Sequence, residues 1–313
     1  MICAVVKFVP RAFCFVMACS VLAQPLKWSE TRTSGGQRNV LLENDRIRVE
    51  VLPDLGGRIV RLVDNATGRN HLGQPDTDSA GIWDKEGIWP TVNFSAHPLH
   101  YDLNQTGQSV SIKLWADRGN LRLEKFYVLE VGSPALSIES SYRNIGSRPL
   151  RYSVSQIFRL AVGGSTGPED YVVYPESGGL AKKRFTTASE ARPENGSPSW
   201  CAVTDAQLGE SLLLEPKDNS LLTERSLQFG DKHIQLEYLT RRHLSQPGET
   251  LTLSWRLRLV KNLSEAPPTP AGRIWGSLLK NAPASFRELD EHLLISGDNL
   301  VGYLSCERLH FGR

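Results

Sequence analysis

The 313-residue sequence has little cysteine, little methionine and no block of like charge. Three of its five cysteines, Cys3, Cys14 and Cys19, fall in one short stretch at the start. A disulfide-framed mini-domain is therefore excluded, and no Cys/His spacing suited to zinc occurs. Thirty-six Lys+Arg stand against 34 Asp+Glu, a net charge of +2, which argues for neither nucleic acid nor an acidic partner. No apolar run reaches the ~20 residues of a membrane-spanning helix. The nucleophile elbow, the P-loop and the dinucleotide fingerprint are all missing, so no cofactor and no metal are expected. A fixed-period repeat is absent too, which argues against a propeller. What remains is an ordinary globular composition, 40% hydrophobic, with ample material for a core.

Residues 1–23 carry Lys7 and Arg11, no acidic group, and an apolar stretch from Ala12 to Ala23. A basic start, a ~7–15-residue apolar run and a small-residue end describe a secretory signal, which implies a secreted or periplasmic protein. Val16-Met17-Ala18-Cys19 offers the alternative of a lipid anchor at Cys19. Cleavage removes Lys7 and Arg11 and leaves 34 basic against 34 acidic residues. Cys201 and Cys306 then read either as one disulfide pinning the C-terminal tail or as two buried thiols far apart.

From residue 24 to 262 the dominant period is two. Leu251, Leu253, Trp255, Leu257 and Leu259 alternate with Thr252, Ser254, Arg256 and Arg258. Val110 to Leu114, Leu121 to Leu123, Ala135 to Glu139, Ile47 to Val51 and Ile234 to Tyr238 read the same way. Turn residues such as Asp117-Arg118-Gly119-Asn120 and Gln246-Pro247-Gly248 separate them. Many short alternating strands with almost no helical pattern predict an all-β antiparallel sandwich. Residues 263–313 differ in texture. A linker around Pro267-Pro268-Thr269-Pro270 precedes Phe286, Leu289 and Leu293 at helical spacing, a tail expected to pack on the sandwich.

The stretch Ile47-Arg48-Val49-Glu50-Val51-Leu52-Pro53-Asp54-Leu55-Gly56-Gly57-Arg58-Ile59 reads as strand, glycine turn and strand. It resembles the opening hairpin of the galactose mutarotase-like superfamily. Leu236-Glu237-Tyr238, Gln246-Pro247-Gly248-Glu249 and the strand through Trp255 resemble that family's closing element, so the likeness spans roughly residues 40–260. It is closer to the family's secreted branch than to true aldose epimerases. The resemblance implies a β-supersandwich with a sugar site on the concave face of one sheet. It also implies that Glu237 takes the place of the glutamate that accepts the anomeric proton. The partner histidine of the epimerases falls at Gln156, whose amide can hold a hydroxyl but cannot deliver a proton. The structural reading of Glu237 is a cross-strand pair with Arg241, Arg256 or Arg258.

The segment from Trp83 to Asp102 holds the densest mixture of aromatic, amide, acid and imidazole groups. Sugars need such a mixture, an apolar ring for their C–H face and convergent polar groups for their hydroxyls. Trp89 or Trp83 is the candidate platform, with Glu86, Asn93, and His97 or His100 as polar partners; a core-packing loop is the alternative. Pro98 disfavours a helix through His97, so His97 and His100 are not expected to bind a metal as a pair. Arg58 is expected either to reach the ligand or to pair with Asp54. Arg58, Glu86, Trp89, Asn93 and Gln156 are thus the candidate binding residues, and Glu237, His97 and His100 the candidate catalytic ones. All are expected to converge on one surface. Three functions follow: a carbohydrate-binding protein first, a sugar-active enzyme (aldose 1-epimerase-like isomerase or polysaccharide lyase) second, and a non-catalytic envelope scaffold third.

Overall fold

The computed structural model describes residues 26–72, 81–88, 93–176, 179–184, 199–218, 220–230 and 232–261. The expected signal segment with its lipid-anchor alternative, Trp89, Cys306, the linker and the helical tail lie outside the described residues. Among the described residues the chain forms β1 (Lys27–Arg32), β2 (Arg38–Glu43), β3 (Ile47–Leu52), β4 (Arg58–Asp64), β5 (Gly81–Ile88), β6 (His100–Gln105), β7 (Ser109–Arg118), β8 (Leu121–Glu130) and β9 (Ala135–Asn144). It continues with β10 (Leu150–Leu160), β11 (Tyr171–Glu176), β12 (Gly179–Arg184), β13 (Cys201–Asp205), β14 (Glu210–Pro216), β15 (Leu222–Phe229), β16 (Ile234–Thr240), β17 (His243–Ser245) and β18 (Thr250–Lys261).

These strands make two nine-stranded antiparallel sheets. The first runs β1-β2-β3-β4-β5-β10-β16-β15, with β17 beside β10; the second runs β12-β11-β13-β14-β18-β9-β8-β7-β6. Alternation decides which side chains meet between them. β3 buries Ile47, Val49 and Val51 and leaves Arg48 and Glu50 on the outer face. β18 buries Leu251, Leu253, Trp255 and Leu257 in the same manner. A single apolar cluster joins the two inner faces. At its middle Trp255 of the second sheet lies 4.9 Å from the Phe158 ring and 4.7 Å from the Tyr238 ring of the first. Cys201 is fully buried in this cluster. β1 is different: it is the edge of the first sheet and all six of its side chains are exposed.

The β3–β4 hairpin turns through a short 3-10 segment, Pro53–Leu55, with Gly56 and Gly57 at φ of 65° and 68°. Residues with a Cβ rarely adopt that conformation. Gly56 faces a second constraint, because a Cβ there would run into the Phe94 carbonyl and sit 2.9 Å from Ser95 Cα. The loop from Asn93 to Leu99 is seated on this glycine, and the Gly56 amide donates to the His97 carbonyl at 3.0 Å. Gly68 has a similar φ of 72° but open space around it. Gly68→Ala should therefore lose only the backbone cost, about 1 kcal/mol. Gly56→Ala should lose on the order of 1–3 kcal/mol more, as overpacking displaces the loop. Urea unfolding of the two variants measures the difference, and equal losses would show that the seated loop imposes no constraint.

Candidate functional site

Two polar constellations surround β5, one on each side of the first sheet. On the outer face, Trp83, Ile157 and Glu237 stand in one cross-strand row over β5, β10 and β16. The Arg58 guanidinium lies over the Trp83 ring at 4.8 Å and that of Arg159 at 5.0 Å. Arg159 Nε also donates to Gln235 Oε1 at 2.6 Å. Trp83 thus works as a post that orients two guanidiniums rather than as a bare floor for a sugar ring. Glu237 is half-buried and its carboxylate makes no hydrogen bond or ion pair among the described residues, so the expected pairing with Arg241, Arg256 or Arg258 is not formed. Asp54, offered as an alternative partner for Arg58, instead receives Arg38 through Nε at 2.8 Å and Nη2 at 2.6 Å.

The inner face carries charge where a core would be apolar. Lys125 of β8 reaches Asp84 of β5 at 3.0 Å, with the two side chains 2% and 1% exposed. Tyr142 donates to Asp84 Oδ2 at 2.6 Å, and Gln156 Nε2 donates to Asp84 Oδ1. Burial is the largest single influence on the Lys125 ammonium and pulls it down, but the charge and hydrogen bond of Asp84, with Tyr127 and Glu86 added, together outweigh it and the net direction is upward. Glu86, next along the same face, accepts the Phe94 amide at 3.1 Å. Burial, reinforced by the Asp84 charge, pushes its carboxyl up to about 7.

The expected convergence of all the candidate residues is not what the structure shows. Gln156 and Glu86 point between the sheets, because they share strand parity with Tyr152, Val154 and Phe158 and with Ile82. Both are more than nine-tenths buried and serve the core, not an outer surface. His100 pairs in register with Trp115 and its ring lies 5.9 Å from that indole, on the outer face of the second sheet. Glu237 lies on the opposite outside, so a whole sandwich separates the two. His97 sits in the loop against Phe94, ring centroids 6.1 Å apart. Asn93 Oδ1 closes a local turn onto the Ser95 amide at 2.8 Å. Among the described candidates, Arg58, Trp83 and Glu237 share the outer face of the first sheet.

Sequence reading missed Arg159, Gln235 and His233 on that face, and Asp84, Lys125 and Tyr142 within. The signal for Lys125 was present. In Leu121-x-Leu123-x-Lys125-x-Tyr127-x-Leu129 the lysine occupies an inward position of a regular alternation.

A second buried titrating group opposes Glu86. His71 is 1% exposed, its Nδ1 accepts the Gly163 amide at 3.2 Å, and burial pulls its pKa down to about 4 from 6.5. Glu86 keeps a proton up to about pH 7 that the unfolded chain releases near 4.5, so its contribution to stability is lost as pH rises through that window. His71 refuses a proton that the unfolded chain takes up below 6.5, so its contribution is lost as pH falls toward 4. The two slopes cancel where the windows overlap. Glu86→Gln should leave a stability that rises with pH across this range, and His71→Gln one that falls. Urea midpoints measured at several pH values check both signs, and parallel profiles for the two variants would refute the assignment.

No family model and no curated protein matches the sequence. Solved structures do match the fold. A galactose mutarotase-like protein of Clostridium acetobutylicum superposes with a TM-score of 0.61 at 11% identity, covering 76% of this chain and 99% of its own. The galactose 1-epimerase of Lactobacillus acidophilus gives 0.51 at 11% identity, covering 76% and 99%. A TPR-domain containing protein of Parabacteroides distasonis gives 0.58 at 15% identity over 72% of this chain, which spans only 47% of that protein's length. At such identities the likeness is one of architecture, and function has to be argued from the site. Two nine-stranded antiparallel sheets closed on one core, superposing on these proteins, establish that the chain has the galactose mutarotase-like fold.

Proposed function

We propose that this protein binds a carbohydrate on the outer face of the first sheet, with Glu237, Gln235, Arg58 and Arg159 as its polar contacts. The observation that carries the reading is Glu237, a half-buried carboxylate with no partner among the described residues, beside a row of oriented guanidinium and amide groups. A carboxylate accepts strongly from sugar hydroxyls, and fixed Arg and Gln donors complete the set that a saccharide needs. The fold, shared with sugar-related proteins, agrees with this. The charge pattern of residues 1–23 supports action in the periplasm or outside the cell.

Binding without turnover is favoured over epimerisation. Ring opening needs an acid and a base on opposite sides of one sugar. Of the five described imidazoles, His100 is on the other sheet, His71 is buried, His97 sits in the loop against Phe94, and His243 meets Glu249 at 3.3 Å and the Tyr152 ring. His233 precedes β16 by one residue and lies four residues from Glu237, roughly 13 Å along an extended strand.

A glycan array followed by calorimetry tests the proposal. Glu237→Gln should weaken the best saccharide ligand by about 10-fold or more, the worth of a charged hydrogen bond, while leaving the unfolding midpoint unchanged. Polarimetry of the same sugars should show no anomerisation above buffer. Unchanged affinity in the variant would overturn the site, and rapid anomerisation by the wild-type protein would overturn the non-catalytic reading.

A further inference from the structure

Arg48 on β3 and Arg61 on β4 line an open depression of about 270 Å3, rimmed by Gly68, Asn70 and Gly164. The chemistry of its wall is one-sided. Arg48 Nε is buried, and among the described residues it has no hydrogen-bond partner and the Arg48 side chain enters no ion pair. Its cross-strand neighbours are Glu43 and Val63. Glu43 is engaged elsewhere, 3.2 Å from Lys27 Nζ and accepting from Asn65 Nδ2 at 3.4 Å. Arg61 is 43% exposed and meets Glu50 only at 3.5 Å, while Glu50 also accepts from Asn39 at 3.2 Å. Asn70 spends its Oδ1 on the Leu62 and Leu72 amides, at 3.1 and 3.2 Å, and its Nδ2 has no acceptor among the described residues. Gly68 and Gly164 take φ of 72° and 98° and present backbone without side chains at the rim. Leaving a buried guanidinium N–H without an acceptor is costly, and a planar fork beside an amide donor matches an oxyanion. A depression of similar size on the second sheet has no such excess of donors, since its Lys113 faces Glu124 at 3.5 Å and Glu139 also lines it.

We propose that the Arg48–Arg61 depression is an oxyanion subsite, and that it holds the carboxylate, sulfate or phosphate substituent of an acidic saccharide. The oxyanion chemistry stands on these residues alone; its belonging to a saccharide rests on the binding function proposed above. Placement supports the link. Arg58 and Arg61 share β4 three residues apart, roughly 10 Å, so one ligand of about two sugar units reaches both.

The test is calorimetry at constant ionic strength with inorganic sulfate, inorganic phosphate, glucuronate, oligogalacturonate and a neutral oligosaccharide. It is run on wild type, Arg48→Gln and Arg61→Gln, with Arg46→Gln as a control outside the depression. The expected result is binding of an acidic saccharide that weakens about 10-fold or more in each of the first two variants and not in the control, with neutral-sugar affinity unchanged. The anion that competes best, among carboxylate, sulfate and phosphate, identifies the substituent. Arg48→Lys, which keeps the charge and loses the fork, should fall between, and it replaces Arg48→Gln should that variant not fold. If neutral saccharides bind and no anion depends on Arg48 or Arg61, the subsite is overturned while the carbohydrate function stands. If sulfate or phosphate binds through Arg48 but no saccharide binds, the oxyanion site stands and its saccharide assignment falls.

Discussion

One ion pair crosses the middle of the molecule. Lys125 and Asp84 come from different sheets and meet where almost no solvent reaches either of them. Withdrawing both charges from water costs several kcal/mol per ion, and the contact offsets this only if the remaining lone pairs are also satisfied. Tyr142 and Gln156 do that for Asp84. The nearby Tyr127 hydroxyl donates to the Gly57 carbonyl at 2.7 Å, which extends the polar network to the β3–β4 turn. Four strands and a hairpin are therefore tied to one carboxylate. Slippage of β5 or β8 by one residue would turn its charge away and leave the other unpaired in the core, so the pair adds to the register that the apolar alternation already sets.

The same short strand supplies both faces of this arrangement. In β5, Ile82, Asp84 and Glu86 turn inward while Trp83 and Lys85 turn outward. The indole that positions Arg58 and Arg159 is thus bonded directly to the residue that anchors the ion pair, and the Trp83 carbonyl accepts from Gln156 Nε2 at 3.4 Å. Rigidity at the buried pair is passed to the outer face through a single peptide unit. A binding surface built on a sheet and braced from behind in this way is held more closely than one made from loops.

The all-β sandwich and its hairpin motif were legible because both rest on local rules. Period-two alternation marks a half-buried strand, and Gly56-Gly57 marks a turn. The candidate site was legible only in part. Glu237 could be placed on the polar side of β16 from its neighbours Leu236 and Tyr238. Gln156 could not be placed by composition, since a polar residue in Val154-Ser155-Gln156-Ile157-Phe158 suits either face. Parity with Val154 and Phe158 assigns it inward, and an inward amide needs a buried partner that no local window shows. Lys125 and Asp84 lie 41 positions apart in sequence and meet only across the sandwich. Density of interesting residue types, which singled out the segment around His97 and His100, proved a weaker guide than strand parity. Those side chains were drawn to the loop and to the second sheet.

The exposed edge strand β1 bears on how the molecule meets its own copies. Its sequence Lys27-Trp28-Ser29-Glu30-Thr31-Arg32 mixes both signs of charge, and it is held by its ladder to β2, by Lys27 on Glu43 and by the Glu30–Tyr101 contact. Charged, short edges discourage strand addition from a neighbouring chain. Beneath it, β2 reads Arg38-Asn39-Val40-Leu41-Leu42-Glu43, with an apolar centre. Proteolysis in the turn between β1 and β2 would release the guard strand and bare a row of unsatisfied amides and carbonyls along that centre. The clipped form would then be the aggregating species: it would lose Leu26 from the core, while its buried ion pair and its outer face would be intact.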